Sequence, residues 1–162
     1  MQNARDTFYL ALRNQLTLVN PERLLTLRGV LRPGIVVEEN ESAVVVAAPD
    51  IFVLRWNALT IDDQHALPLT EQLCAVNYWT EGTSTNGGLD RGRLLSAMDS
   101  DLTQMLGGLN AAKQNFGATP PSAMATRVFW STPAMEPIVV AKNRISRVAQ
   151  VRVYSYEEAS EL

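Results

Sequence analysis

Between Leu67 and Gly108 the pattern of apolar positions changes period, and the rest of the chain is organised around that change. Leu67, Leu69, Leu73, Ala75 and Trp79 alternate with Pro68, Thr70, Gln72, Cys74 and Tyr78. A period of two marks a half-buried β-strand. Turn formers interrupt it from Thr80 through Gly87-Gly88. From Arg91 the period becomes helical: Leu94, Leu95, Met98, Leu102, Met105 and Leu106 share a stripe opposite Ser96, Asp99, Ser100 and Thr103. Asp90 is placed as the N-cap, with Leu89 and Leu94 as a hydrophobic staple. Gly107-Gly108 supplies the stop. A strand feeding a helix that packs back onto it is the expected heart of the domain.

Upstream, Asn3 and Asp6 imitate a capping box, and Phe8, Ala11, Leu12, Leu16 and Val19 form a helical stripe ending before Asn20-Pro21. Tyr9, Leu10 and Leu18 fall off that stripe, which implies either a wide core-facing surface or a subunit contact. The stretch from Leu24 to Leu31 reads as a strand or an irregular lead-in. Ile35-Val36-Val37 starts a β run that ends in Glu38-Glu39-Asn40-Glu41, and Val44-Val45-Val46 is a further β-branched run. From Ile51 to Thr60, Phe52, Leu54 and Trp56 face one way and Val53, Arg55 and Asn57 the other. Asp62-Asp63-Gln64-His65 is a polar loop. Consecutive strands with short turns favour an antiparallel meander.

Downstream, the segment from Asn110 to Pro137 carries Gly117, Pro120-Pro121, Pro133 and Pro137 among small polar residues, with Phe129-Trp130 as its apolar anchor. So long a connection inside a compact domain is usually functional or mobile. Ile138-Val139-Val140 is a possible short strand. Val148 to Tyr156 alternates cleanly as a last strand, and Glu157 onward reads as a polar tail. These elements describe one α+β domain over 1–162, with a long connection at about 109–146. Its expected architecture is an antiparallel β-sheet of about four strands with two main helices, in the order helix–strands–helix–strand.

Bulk properties narrow the function more by exclusion than by indication. A chain of 162 residues is long enough to bury roughly 70% of its unfolded surface. Hydrophobic residues make up 46% and charged residues 19%, which describes a soluble protein with a lightly charged surface. A formal net charge of −3 gives no electrostatic reason for direct nucleic-acid recognition. Cys74 is the one cysteine, so no intrachain disulfide is expected. No apolar run approaches a membrane span. The first residues lack a signal-peptide apolar region, so synthesis and folding in cytosol are expected.

Candidate chemistry is sparse. Asp62, Asp63 and His65 are the one short cluster of metal-competent side chains, but a catalytic zinc usually takes three protein ligands and this chain has a single histidine. Gly87-Gly88 before a helix invites a phosphate reading, yet neither a P-loop nor a dinucleotide spacing is present. Arg91 and Arg93 stand where the helix dipole disfavours cations, so they should pair with carboxylates or meet a partner. Glu38, Glu39 and Glu41 read as solvated charges at a strand end. No catalytic residue, cofactor site or metal site is assigned.

Six phrases of the chain carry a resemblance: "NARDTFYLALRNQL", "LRGVLRPGIVVEENE", "FVLRWNALTI", "LTEQLCAVNYWTEGT", "GLDRGRLLSAMDSDLTQML" and "RVAQVRVYSYEE". In this order of helix, strands, helix and strand the chain resembles the tail terminator or minor tail proteins of long-tailed bacteriophages. The resemblance implies helices packed on an antiparallel sheet and a hexameric ring of copies. It implies that the ring caps the tail tube, halts tube polymerisation and meets the head-side connector protein. Neither cofactor nor catalysis follows from it. It places the protein in the virion tail, assembled in bacterial cytoplasm, with itself, the tube protein and the connector as partners. Arg91, Arg93, Phe116, Phe129 and Trp130 are the partner-contact candidates. Two other classes stay open: a small-ligand module with its pocket near Trp56, Tyr78 and Trp79, and a small hydrolase using Cys74 or a serine of the 83–85 loop with His65.

Overall fold

The chain is described by a computed structural model covering residues 1–41, 48–64 and 66–161. The Val44-Val45-Val46 run and His65 lie outside those residues. Helix α1 spans Gln2–Val19, followed by strands β1 (Leu24–Leu27), β2 (Val30–Pro33) and β3 (Ile35–Val37) and a one-turn helix α2 (Glu38–Glu41). Strands β4 (Phe52–Asp62) and β5 (Leu69–Thr80) precede helix α3 (Arg91–Met105). Then come β6 (Asn110–Asn115), β7 (Ser122–Trp130), β8 (Ala134–Met135), β9 (Val139–Ala141) and β10 (Arg144–Tyr156). The class is α+β, but the expected sheet of about four antiparallel strands with two helices is wrong. Among the described residues there are three helices, an eight-stranded mixed sheet and a separate two-stranded hairpin.

Two local causes explain the difference. First, β3 runs parallel to β4, with Ile35 beside Phe52 and Val37 beside Leu54. A parallel pair cannot be joined by a tight hairpin turn and needs a longer crossover, so the meander expected from short turns does not form there. Second, the segment at 109–146 is not an irregular connection. It folds into β6 to β9, with Gly117 and Pro120-Pro121 in the turn of the β6–β7 hairpin and Pro133 and Pro137 in the breaks flanking β8. Its first strand, Asn110–Asn115, is small and polar, a poor intrinsic strand former, and pairing with β7 overrides that preference, while Val128-Phe129-Trp130 and Val139-Val140 pair with the long β10.

The sheet runs β3-β4-β5-β10-β7-β6, and β8 and β9 continue along the β10 edge that β7 occupies further on. It curls around α1. Thr7 of α1 accepts a hydrogen bond from the Gln114 amide of β6 at 3.0 Å, and Asn3 accepts one from the Phe116 amide at 3.1 Å. On the far margin the Tyr9 hydroxyl donates to the Ile35 carbonyl of β3 at 3.5 Å. Asn3 is therefore spent on the sheet edge rather than on a capping box, and Met1 occupies the N-cap position without a side-chain bond. One helix thus masks both ends of the sheet, where unpaired edges would invite foreign strands.

Most of the core lies between α1, α3 and the concave sheet face: Phe8, Leu12, Leu16, Phe52, Leu54, Val76, Leu95, Met98, Leu102 and Val151 are all buried. Leu94 is only half-buried, and Leu89 is 92% exposed, so the expected staple does not form. On β5 the buried register is Thr70, Gln72, Cys74, Val76, Tyr78 and Thr80, while the more apolar Leu69, Leu73 and Trp79 are half-buried on the other face. Thr70 is satisfied there by donating to the Ser155 carbonyl at 2.9 Å, and the Gln72 carbonyl accepts from Arg5 Nε at 2.5 Å. A smaller apolar cluster of Leu25, Val36 and Ile51 packs on the convex side under the β1–β2 hairpin.

The C-terminal segment is not a solvated tail. Glu157 is 2% exposed and faces Lys113 Nζ at 3.5 Å, and the same ammonium donates to Glu161 at 2.5 Å and to the Tyr156 carbonyl at 2.9 Å. The amino group of Met1 is also paired with Glu157. Arg23 closes the opposite end by donating through Nε and Nη2 to Asp101 of α3, at 3.0 and 2.8 Å.

Candidate functional site

The loop between β5 and α3 is built by one carboxylate. Asp90 accepts from the Thr83 amide at 2.8 Å, the Thr83 hydroxyl at 2.7 Å and Asn86 Nδ2 at 3.2 Å. Those bonds to Thr83 favour the charged form and hold the carboxyl down at about 2. Asp90 precedes α3 as expected, yet its oxygens serve the loop and not the helix amides. Gly82 and Gly88 cross at close range: a Cβ on Gly88 would lie 2.7 Å from the Glu81 carbonyl, and its φ of +77° already excludes most side chains. The loop and the β9–β10 turn enclose an open groove of about 480 Å³ between Glu81, Thr83, Arg91 and Lys142.

Arg91 borders this groove and donates to the Gly88 carbonyl at 2.9 Å. Arg93 lies outside it and is exposed. Neither forms an ion pair among the described residues, so the cations at the head of α3 are not neutralised within those residues. Phe116 is half-buried where β6 passes α1. Phe129 is 42% exposed, whereas Trp130 is buried with its indole N–H on the Leu106 carbonyl at 3.0 Å. The five contact candidates therefore do not form one patch, and Trp130 belongs to the core.

The residues weighed for chemistry separate in the same way. Cys74 is fully buried on β5, and burial pushes its thiol up to about 12. Ser84 sits exposed in a single 3-10 turn. Trp56 and Tyr78 face the core while Trp79 faces the other side under the guanidinium of Arg144, 5.2 Å from the ring centre, so these aromatics share no pocket. Asp62 and Asp63 stand at the exposed end of β4, and no metal-binding group of three ligands occurs among the described residues. A tight polar trio does occur, in which Asp99 accepts from Tyr78 at 2.6 Å and from Arg147 at 2.7 Å. Its carboxylate is committed to both donors and pins α3 to β5 and β10. Burial, then the bond to Asp99, push the Tyr78 hydroxyl well above its ordinary range.

The surface has a stronger signal than the interior. Val30 and Leu31 of the β1–β2 hairpin are each 64% exposed, Leu59 and Ile61 stand uncovered on the outer half of β4, and Ile138, Val139 and Val140 line the margin at β9. The residue pattern alone predicts Leu24 to Leu31 as a strand or an irregular lead-in, Ile51 to Thr60 as a strand and Ile138-Val139-Val140 as a short strand, with no contact surface on any of them. The available sign was apolar residues on both faces of a run, as in Val30-Leu31 and Val139-Val140, where a strand with one solvated face would alternate. No helix among the described residues is long and apolar enough to cross a membrane. Comparison of the chain with protein-family models and with curated proteins finds no match.

Proposed function

We propose that the chain is a structural assembly protein of the tail-terminator kind, acting as a ring of copies that caps a phage-type tail tube. In that role it stops tube polymerisation and presents a surface to the head-side connector, in a virion tail assembled in bacterial cytoplasm. The observation that carries this reading is the spread of uncovered apolar side chains over separate margins of one domain: Val30 and Leu31, Leu59 and Ile61, and Ile138 to Val140. Exposed apolar area of that extent marks contact surfaces, and a subunit inside a ring needs at least two distinct ones. The six-fold count follows from the resemblance.

The test is tube length. Tail-tube protein polymerised alone gives a broad length distribution, and adding this chain should arrest growth and leave a ring of density at one end in electron micrographs. Unchanged growth, with no density at either end, rejects the reading.

A further inference from the structure

Two surfaces of this chain complement one another in both shape and charge. The first is a groove of about 420 Å³ between the β1–β2 hairpin, α1 and α2, walled by Leu27, Val30 and Leu31 and rimmed by Arg13 and Arg28. Arg32 also lines it, but is paired with Glu41 and Tyr9. Arg13 and Arg28 form no ion pair among the described residues, which leaves the groove cationic. The second is the β4–β5 arm beyond the bulge near Asn57, where β4 changes register against β5. There Leu59 and Ile61 project from one face of β4 and Leu67 follows the turn, all exposed. Asp62 and Asp63 are the only acidic or basic side chains from Ala58 to Pro68 apart from His65.

We infer that the β4–β5 arm of one copy docks into the groove beside the β1–β2 hairpin of the next copy. The apolar walls receive Leu59 and Ile61, and Asp63 meets Arg28, with Arg13 adding to the positive rim. The residues that wall and rim the groove include none from β4 or β5, so a copy does not fill its own groove. The contact is head-to-tail, using different patches on the two partners, and such contacts close into rings when the rotation allows. The inference rests on the ring reading for closure and copy number, and on the two patches for everything else.

The experiment uses the whole chain with charge reversals at exposed positions. Arg28→Asp alone and Asp63→Arg alone should each keep the wild-type melting temperature and raise the concentration needed for assembly ~10-fold or more, since like charges then face each other. An equimolar mixture of the two variants should recover assembly, because alternating copies restore an opposite pair at every contact. High salt should weaken wild-type assembly. As a geometric check, a chain carrying Leu31→Cys and Ile61→Cys should oxidise to a disulfide ladder extending beyond dimers, with the native Cys74 buried and silent. Failure of the mixture to recover assembly overturns the docking. So does a chain that is monomeric with and without tail tubes, or dimer formation by Leu31→Cys alone. If the mixture recovers assembly but wild type does not arrest tubes, the docking stands and the tail-capping function falls; arrest without recovery gives the reverse.

Discussion

Phe8 meets Trp130 edge-on, with ring centres 5.3 Å apart, and meets Trp56 in the same manner at 5.8 Å. Trp56 lies on β4 and Trp130 on β7, with β5 and β10 between them in the sheet order. One side chain of α1 therefore bridges strands that a flat sheet would keep apart, and the curl of the sheet depends on that helix. Phe8→Ala should cost ~3–5 kcal/mol, the range for a buried aromatic truncated in a packed core. Urea denaturation followed by tryptophan fluorescence measures it, and a cost below ~1 kcal/mol would mean that α1 is not the centre of the fold.

The α3 stripe gives a paired comparison. Leu95 and Leu102 are 1% and 0% exposed, whereas Leu89 just before the helix is 92% exposed. Leu95→Ala and Leu102→Ala should each cost ~2–5 kcal/mol, and Leu89→Ser should change stability by no more than ~0.5 kcal/mol. Equal melting of all three would show that the stripe is not core.

Lys113 is fully buried among Glu157, Glu161 and the Tyr156 carbonyl. Removing the ammonium leaves Glu157 and Glu161 to share the Met1 amino group, so Lys113→Ala should destabilise by ~3–5 kcal/mol. Adding Glu157→Gln to that variant should recover part of the loss, since one of the two carboxylates sharing the Met1 amino group is then neutral. A double-mutant cycle reads the coupling directly, and strictly additive losses would refute it.

Alkaline stability has a defined direction. Burial, then the neighbouring Glu41 carboxylate, raise the Tyr9 hydroxyl from 10.0 to about 12, and burial raises the Cys74 thiol from 9.0 to about 12. Both groups hold their protons more tightly when folded than when unfolded, so their contribution is complete below pH 9.0. It is lost progressively as pH rises from there towards about 12. Midpoint urea concentration should fall across that window, and Cys74→Ala should flatten the first part of the fall. A thiol reagent should label Cys74 only as the chain unfolds; rapid labelling of folded protein would contradict its burial.

Much of the frame was legible in the residues. α1 and α3, the inward register of Phe52, Leu54 and Trp56, and the presence of β5 and β10 as strands all follow from clean periods, although β10 begins at Arg144, four residues before the alternation expected from Val148. What was illegible has specific causes. The parallel β3 depends on a crossover, which hydropathy alone does not orient. The β6–β7 hairpin is made of residues such as Asn110, Ala111, Ala112 and Lys113, whose strand geometry comes from neighbours rather than from propensity. β5 places Thr70 and Gln72 in the interior, where Ser155 and Glu157 from the far end of the chain accept from the Thr70 hydroxyl and Arg5 donates to the Gln72 carbonyl. The contact candidates fared unevenly for a related reason: an aromatic's chemistry does not tell which face its strand will bury.

Phe129 and Trp130 show that last point most sharply, being adjacent on β7 and therefore on opposite faces. Trp130 is 6% exposed, packed on Phe8 and hydrogen-bonded to Leu106 through its indole, while Phe129 stands 42% exposed across from Tyr154 of β10. Trp130→Ala removes a core ring and one of the two donors on the Leu106 carbonyl, so it should destabilise by ~3–5 kcal/mol. Phe129→Ser takes away only partly covered packing and should cost clearly less than Trp130→Ala, ~1 kcal/mol or less. On the assembly reading, the same change should weaken association of copies or capping of tubes, since an uncovered aromatic is a favoured anchor at interfaces. Equilibrium denaturation paired with sedimentation and tube-length measurements separates the two effects. If Phe129→Ser folds, associates and caps as wild type does, that convex face of β7 is not a contact surface, and the ring must be built from the other margins alone.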